Sequence, residues 1–433
     1  MLQKVQLSGV SMLISKTKII EQFDEIDIDS FWNTGDGSEA KMHRIHGYPA
    51  KFPAFITTRA LEYARKTGRD PKVIADIFCG CGTVAYEAKR NEIDFWGYDL
   101  NPVATLIARV KSRYYRNEKI DIFFSKINEE FLKQRDSDFS YQDADTRIAY
   151  WYAPKEYIDL SKLQKSIELS VPKNSVYHSF FKCALSNILK STSRWLTKSI
   201  KPQIDPDKQP AEVFAAFKKQ VELMKTANSE SSIRNKKSKT SIYTSSILNS
   251  KTNPQPADLI VTSPPYVTSY EYADLHQLSA LWLGYANDYR DLRVGSIGSL
   301  HNCHDIEIQN ARLNDIGREV VDQLRDTKNP KAKAVSKYYL DMQKVAHKTA
   351  NLLSSNGLAL FVIGNTEYSG VRIRNAEHLT KAMYDAGFNE VNVSKRKISK
   401  KILTPYRDNK GRFTKDSTGK KIYSEEFIVV GQK

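Results

Sequence analysis

The stretch VIADIFCGCGTVAYEAKR, from Val73 to Arg90, decides the fold of this 433-residue chain. It opens with a short apolar run that ends at Phe78, and such a run predicts a buried β-strand. Gly80 and Gly82 follow, and the sequence after them predicts a helix. Glycines at the carboxyl end of a strand let the backbone turn tightly and approach a ligand closely. An ordinary strand-to-helix turn would need the same residues, but the strand and helix on either side favour a ligand-binding turn.

A second strand and helix follow at once. IDFWGYD, residues 93–99, predicts a buried strand, and NPVATLIARVKSRYY predicts the next helix. Asp99 ends the strand about 20 residues after the glycine turn, where an acidic side chain can accept hydrogen bonds from both hydroxyls of a ribose. Asn101 and Pro102 suit a helix start, and the two roles are compatible. This alternation predicts an α/β fold with a Rossmann-like, doubly wound, mostly parallel sheet.

A third turn has unusual chemistry. The apolar strand ADLIVT, residues 257–262, runs into Ser263, Pro264, Pro265 and Tyr266. Consecutive prolines hold the backbone extended and remove N–H donors, which leaves carbonyl oxygens free to face a ligand. The serine adds a hydroxyl acceptor and the tyrosine adds a flat ring. A rigid loop with a core tyrosine is the alternative explanation for the same residues.

Four segments are expected from these patterns. Residues 1–40 form an N-terminal extension, and residues 41–118 form a cofactor-binding half. Residues 119–250 form a mainly helical insertion that ends in a flexible basic linker, and they are a candidate region for target recognition. Residues 251–433 form a catalytic half that includes a C-terminal basic hairpin.

Composition narrows the class of protein. Lys and Arg outnumber Asp and Glu by 66 to 50, which gives a formal net charge of +16 and favours a polyanionic partner. The four cysteines are too few for a disulfide framework, and no metal site is predicted from them. No signal sequence or membrane-spanning run is recognised. We therefore expect a cytoplasmic protein with no membrane partner.

The order of these motifs resembles that of the DNA amino-methyltransferases. The matching segments are DIFCGCGT at Asp76–Thr83, YDLNP at Tyr98–Pro102, and DLIVTSPPY at Asp258–Tyr266, together with HGYPAKFP at His46–Pro53. The resemblance covers roughly residues 43–110 and 255–433. It implies the class I methyltransferase type of fold and S-adenosyl-L-methionine as cofactor. The cofactor-binding residues it implies are Tyr48, Pro49, Lys51, Phe52, Asp76, Phe78, Gly80, Gly82, Thr83, Asp99, Asn101 and Pro102.

Ser-Pro-Pro-Tyr resembles the cytosine-N4 class in particular, because the adenine-N6 class usually has Asp or Asn in place of the serine. The implied catalytic residues are Ser263, Pro264, Pro265 and Tyr266. Hydrogen bonds from the cytosine amine to Ser263 and to the Pro264 carbonyl would orient its lone pair, and Tyr266 would stack on a base flipped out of double-stranded DNA. Methylation at cytosine C5 is disfavoured, because no cysteine in the chain follows a proline.

The resemblance also implies a prokaryotic or phage origin and a cognate restriction nuclease as a possible partner. Phosphate contacts are predicted for the basic hairpin, at Lys395, Arg396, Lys397 and Arg412. Three alternatives remain open at this stage. The same fold could methylate adenine N6 in DNA, or a base amine in RNA, or it could be a nucleic-acid-binding module without activity. The helical insertion departs from the commonest family layout, so the location of target recognition is also open.

Overall fold

The computed structural model describes residues 11–35, 37–49, 51, 53–196, 199, 202–250, 254–267, 272–300, 310–398 and 425–433, and the backbone of three short strands between residues 406 and 421. Two of the predicted residues, Phe52 and Arg412, lie outside this range. No helix in the described ranges is both long and apolar enough to cross a membrane.

An eight-stranded sheet forms the centre of the molecule. In chain order its strands are β1 (Met12–Leu13), β2 (Val73–Asp76), β3 (Asp94–Asp99), β4 (Thr240–Thr244), β5 (Ala257–Thr262), β6 (Leu353–Ile363), β9 (Glu390–Lys397) and β13 (Glu425–Gln432). Outside it, β7 (Thr366–Tyr368) pairs with β8 (Val371–Ile373). The remaining strands, β10 (Tyr406–Arg407), β11 (Phe413–Thr414) and β12 (Lys420–Lys421), form a small sheet of their own.

The spatial order of the main sheet is β1-β9-β13-β6-β5-β2-β3-β4. The five strands from β6 to β4 are parallel, whereas β13 runs antiparallel to both of its neighbours. The chain builds outward from β2 to β3 and β4, and then returns to place β5 on the other side of β2. The boundary between β2 and β5 is therefore the switch point of the sheet, where open α/β sheets bind their ligands. The expected doubly wound, mostly parallel fold of the class I methyltransferase type is confirmed.

Helices cover both faces of this sheet, so its central strands are apolar on both sides. Neighbouring residues Leu259 and Ile260 of β5 are buried in different core clusters, as the two-residue period of a strand requires. One face packs against α2 (Phe55–Lys66) and α3 (Thr83–Arg90). The other packs against α1 (Ile19–Glu25) and three later helices, namely α12 (Asp315–Asp326), α13 (Ala332–Leu352) and α14 (Asn375–Asp385).

The remaining helices lie beside the sheet, and most of them contribute to a second core. They are α4 (Pro102–Lys111), α5 (Asn117–Lys133), α6 (Thr146–Trp151), α7 (Pro154–Ser170), α8 (Val176–Ile188), α9 (Val213–Ser229), α10 (Tyr272–Leu275) and α11 (Gln277–Trp282). Their shared core includes Phe180, Phe217 and Trp282. Because α11 comes from the segment after Tyr266, this core joins the helical insertion to the loop that was predicted to be catalytic.

Two parts of the chain differ from the sequence-based expectation. The segment interpreted as a flexible basic linker contains β4, which pairs with β3 at the edge of the main sheet. The N-terminal extension is also part of the fold, because β1 pairs with β9 and Ile28 forms a parallel bridge with Lys395. β4 is a mostly polar edge strand and β1 is only two residues long, so long-range pairing defines both strands more than their own sequence does.

Candidate active site

The site begins where β2 and β5 end side by side at the switch point. The Thr262 hydroxyl donates a hydrogen bond of 2.6 Å to Oδ1 of Asp76, and the Phe78 amide donates one of 3.0 Å to the same oxygen. Oδ2 of Asp76 is buried and has no partner among the described residues. Burial raises the pKa of Asp76 to about 7. A buried acceptor without a partner is costly in a finished fold, so this oxygen is available to a ligand.

The glycine turn is shaped by close contacts on two sides. Gly80 and Gly82 both have positive φ, at 47° and 75°. A β-carbon at Gly82 would lie 2.6 Å from the Ala108 β-carbon of α4, so only glycine allows this packing. A β-carbon at Gly80 would lie 3.5 Å from the Tyr48 ring, which covers the turn. The turn ends at Thr83, which is the first residue of α3 and has a buried side chain.

Asp99 holds the glycine turn and the next helix together. Its Oδ2 accepts a 2.8 Å hydrogen bond from the Gly80 amide, and its Oδ1 accepts one of 2.8 Å from the Asn101 amide. Asn101 in turn caps α4 by accepting from the Val103 amide, and Pro102 occupies the first turn of that helix. Burial raises the pKa of Asp99 to about 6. Each carboxylate oxygen keeps further lone pairs for a donor such as a ribose hydroxyl.

The segment before α2 contributes Tyr48 to this site. Its ring stacks on His276 with 5.0 Å between centroids, and burial raises its pKa well above the ordinary value. The Lys51 ammonium is held by Glu39 at 2.9 Å and by the His43 carbonyl at 2.9 Å. Lys51 therefore fixes the shape of the loop in this structure, and Pro49 belongs to the same segment. The sequence pattern predicted Tyr48 but gave no signal for its partner His276.

Ser-Pro-Pro-Tyr follows β5 directly and is tied to the sheet at both ends. The Ser263 hydroxyl donates to the Val362 carbonyl at 3.1 Å, so its oxygen is left with lone pairs that can accept. Pro264 is buried, whereas Pro265 is half-buried. The Tyr266 hydroxyl donates to Oε1 of Glu426 at 2.6 Å. The structure thus brings Ser263 and Asp76 together at the carboxyl ends of the neighbouring strands β5 and β2.

The basic strand β9 is only partly available to a nucleic acid. Lys397 is exposed and Lys395 is half-buried. Arg396 is 2% exposed and binds Glu426 and the Trp32 carbonyl, so the prediction that it contacts phosphate is wrong for this structure. Successive side chains of a strand point to opposite faces, which is why the middle residue of Lys-Arg-Lys faces inward.

A second group of residues links this site to the helical insertion. Gln277 follows His276, and its Oε1 accepts hydrogen bonds from Arg147 at 2.6 Å and from Trp151 at 3.0 Å. The Arg147 guanidinium lies 5.0 Å from the ring centre of Tyr150 and 5.5 Å from that of Tyr289. Tyr150 is 47% exposed. Sequence reasoning missed this aromatic and basic surface, because its residues are scattered along the chain.

A comparison with known proteins supports the methyltransferase family. The chain is 21% identical over 369 residues to the type II methyltransferase M.MvaI of Kocuria varians, and the match covers 77% of this chain and 79% of that protein. No family model matches. A solved structure of the rRNA methyltransferase aviRa from Streptomyces viridochromogenes aligns over 91% of this chain and 90% of its own, with 9% identity and a TM-score of 0.30.

Proposed function

We propose that this protein is a DNA methyltransferase that transfers a methyl group from S-adenosyl-L-methionine to the exocyclic N4 amine of cytosine. One observation supports the proposal above the others. The Ser-Pro-Pro-Tyr loop and the glycine turn follow neighbouring strands at the switch point, and the Thr262–Asp76 hydrogen bond of 2.6 Å joins the two strand ends. A cofactor held by one turn would therefore lie beside a base held by the other.

The residues present fit this cofactor. Asp76 offers a buried oxygen without a described partner, and Asp99 offers acceptors at the end of the neighbouring strand. Gly80 lets a ligand approach the backbone under the Tyr48 ring. When bound, the cofactor supplies an electrophilic methyl group on a sulfonium centre. The residues proposed to hold it are Tyr48, Pro49, Lys51, Phe52, Asp76, Phe78, Gly80, Gly82, Thr83, Asp99, Asn101 and Pro102.

Ser263 is proposed to orient the amine. An exocyclic amine on a pyrimidine is a weak nucleophile, because its lone pair is delocalised into the ring. Since the Ser263 hydroxyl already donates to the Val362 carbonyl, its oxygen would act toward a substrate as a neutral acceptor. An N–H bonded to that oxygen, and a second N–H bonded to the Pro264 carbonyl, would hold the amine as it becomes pyramidal. Pro265 keeps this loop rigid.

Tyr266 is proposed to stack on the flipped base, because its half-buried ring adjoins the two prolines. The proposal of DNA as substrate is supported by the net charge of +16 and by the likeness to a type II methyltransferase. Lys395, Lys397 and Arg412 are proposed as phosphate contacts, and a cognate nuclease as a partner in the cell. Arg396 is excluded from this set because it is buried.

Target recognition is proposed to lie on the helical insertion, at α6. The Tyr150 ring is exposed there, and the Arg147 guanidinium packs between Tyr150 and Tyr289. Two side-chain contacts link α6 to the cofactor turn. Arg147 contacts Gln277, and the adjacent His276 stacks on Tyr48. Aromatic and arginine side chains linked in this way to the cofactor turn suit the recognition of base edges and unstacked bases.

The decisive experiment is mass spectrometry of nucleosides from DNA and RNA that were incubated with the protein and methyl-labelled cofactor. Label in N4-methylcytosine from DNA is expected. Label confined to N6-methyladenine would show that the target base is adenine and not cytosine. Label confined to RNA would show that the substrate is RNA and not DNA. Ser263→Ala should place less label in the same nucleoside, because it removes one acceptor and keeps the loop length.

A further inference from the structure

Three side chains connect the catalytic loop to the far half of the sheet. The Tyr266 hydroxyl donates to Oε1 of Glu426 at 2.6 Å, and the other oxygen of that carboxylate accepts from Nε of Arg396 at 3.0 Å. Arg396 also donates from Nη1 to the Trp32 carbonyl at 3.1 Å. Both oxygens of Glu426 are therefore engaged, each by a different donor.

This network is held rigidly by the elements that carry it. Glu426 and Arg396 lie directly opposite each other on the antiparallel strands β13 and β9. Their side chains are 15% and 3% exposed, and the guanidinium lies 5.6 Å from the ring centre of Phe55. A charge that is buried to this extent is stable only with its partner, so neither side chain can swing away without a large cost.

The direction of the hydrogen bond follows from the charges. Burial and the neighbouring Glu426 carboxylate raise the pKa of Tyr266 well above its ordinary value. The hydroxyl thus keeps its proton at neutral pH and remains the donor to Glu426, which also accepts from Arg396. Hydrogen bonds of this charge-assisted kind are stronger than neutral ones and fix geometry more tightly.

We propose that Glu426, held by Arg396, is a positioning residue that fixes the Tyr266 ring in the orientation needed to stack on the extruded base. The inference rests on the proposed role of Tyr266 and extends it. A ring anchored only at its β-carbon can tilt and rotate, whereas a ring also anchored at its para oxygen presents one fixed face. Neither Glu426 nor Arg396 touches the substrate in this arrangement.

A double-mutant cycle between Tyr266→Phe and Glu426→Gln tests the proposal. Each single change should lower kcat about tenfold, as expected for the loss of one charge-assisted hydrogen bond. The double variant should lose no more than either single variant, because both changes remove the same anchor. Fluorescence of 2-aminopurine placed at the target base should show less complete extrusion in all three variants, while cofactor affinity should stay within about twofold.

Asp258→Asn is the control for destabilisation alone. Asp258 accepts hydrogen bonds from the Lys72 and Val73 amides at the amino ends of β5 and β2, away from the candidate site. Its loss should therefore lower the melting temperature without changing kcat. Multiplicative losses in the double variant, about a hundredfold in total, would show that Glu426 acts independently of Tyr266 and would overturn the proposal.

If Glu426→Gln does not fold, Tyr266→Phe alone tests whether the hydroxyl anchor positions the ring, because this variant keeps the Glu426–Arg396 pair intact. An unchanged kcat for Tyr266→Phe, together with a large loss for Tyr266→Ala, would retain the stacking role and refute the positioning role. Equal activity of wild type, Tyr266→Phe and Tyr266→Ala would instead refute the proposed function of Tyr266 itself.

Discussion

At the scale of single residues, Asp99 has the most closely defined role. Both of its oxygens accept backbone hydrogen bonds, and these bonds shape the glycine turn and the start of α4 at the same time. Its position could be predicted from the sequence, because an acidic residue at the end of a strand has few other uses. Its burial, which raises its pKa to about 6, could not be predicted, since it depends on residues from distant parts of the chain.

This pKa predicts how cofactor binding depends on pH. Ribose hydroxyls would donate to the ionised carboxylate, so binding requires Asp99 to lose its proton. The contribution of Asp99 to the affinity for S-adenosyl-L-methionine should be nearly constant above pH 7 and about tenfold weaker at pH 5, in addition to any change caused by Asp76, whose pKa is about 7. Calorimetry at several pH values measures this change. Asp99→Asn should bind more weakly and lose this pH dependence, and an unchanged profile in that variant would contradict the placement.

Ser263 gives the second prediction at this scale. Ser263→Ala should lower kcat on the order of 10- to 100-fold, because the lost acceptor matters most when the amine becomes pyramidal. DNA affinity should change less than threefold, roughly the cost of one weak contact. Single-turnover kinetics and a binding titration separate the two effects. Ser354→Ala is the matched control, because its hydroxyl also makes one hydrogen bond, at 3.0 Å to Asp258.

At the scale of secondary-structure elements, β9 combines two roles through the alternation of its side chains. Replacing Lys395 and Lys397 with Ala should weaken binding to all DNA sequences alike. It should also reduce the slope of affinity against salt concentration by about two, because each phosphate contact contributes roughly one unit. Lys72→Ala, which removes an exposed lysine just before the amino end of β2, should leave the slope unchanged. A loss limited to one sequence would indicate base recognition instead.

The helix α6 should govern sequence specificity. Tyr150→Ala removes an exposed ring and one side of the Arg147 packing. Discrimination between the cognate site and a site with one changed base pair should fall about tenfold, while affinity for unrelated DNA should stay the same. Leu132→Ala, at another exposed position on the helical insertion, should have no effect. Unaltered discrimination in Tyr150→Ala would place recognition elsewhere.

The elements also show what sequence patterns can predict. The bounds of β5 were predicted correctly, because its residues are apolar on both faces and turn residues follow it. The strand β4 was missed, because an edge strand such as Thr-Ser-Ile-Tyr-Thr needs few apolar residues and is defined by its pairing with β3. Arg396 was assigned to the surface from its charge, although the two-residue period of a strand places it opposite its lysine neighbours.

At the scale of the whole molecule, we expect the buried carboxyl of Asp76 to lower stability at neutral pH. The folded-state pKa of Asp76 is about 7, well above its ordinary value of 3.8. Since the raised pKa favours the protonated form, its stabilising contribution is fully present below about pH 4 and is lost as the pH rises through 7. Asp76→Asn should therefore melt roughly 5 °C higher than wild type at pH 7.5, with little difference at pH 4.

Thermal melts across this pH range measure the effect, in the absence of cofactor. Asp136→Asn, which removes an exposed carboxylate of the helical insertion, should follow the wild-type curve. If Asp76→Asn and wild type show the same dependence on pH, folding does not raise the pKa of Asp76, and its buried carboxyl is not a source of instability at neutral pH.

The position of Glu426 in the chain has a consequence for the order in which the protein becomes competent. Tyr266 and its anchor are 160 residues apart, and the anchor lies on β13, a late strand inserted between β6 and β9. During translation, the glycine turn, Asp99 and the Ser-Pro-Pro-Tyr loop all leave the ribosome before β13 exists. A nascent chain should thus acquire its cofactor pocket early and its full rate of methyl transfer only after residue 426 has been added and has paired with Arg396.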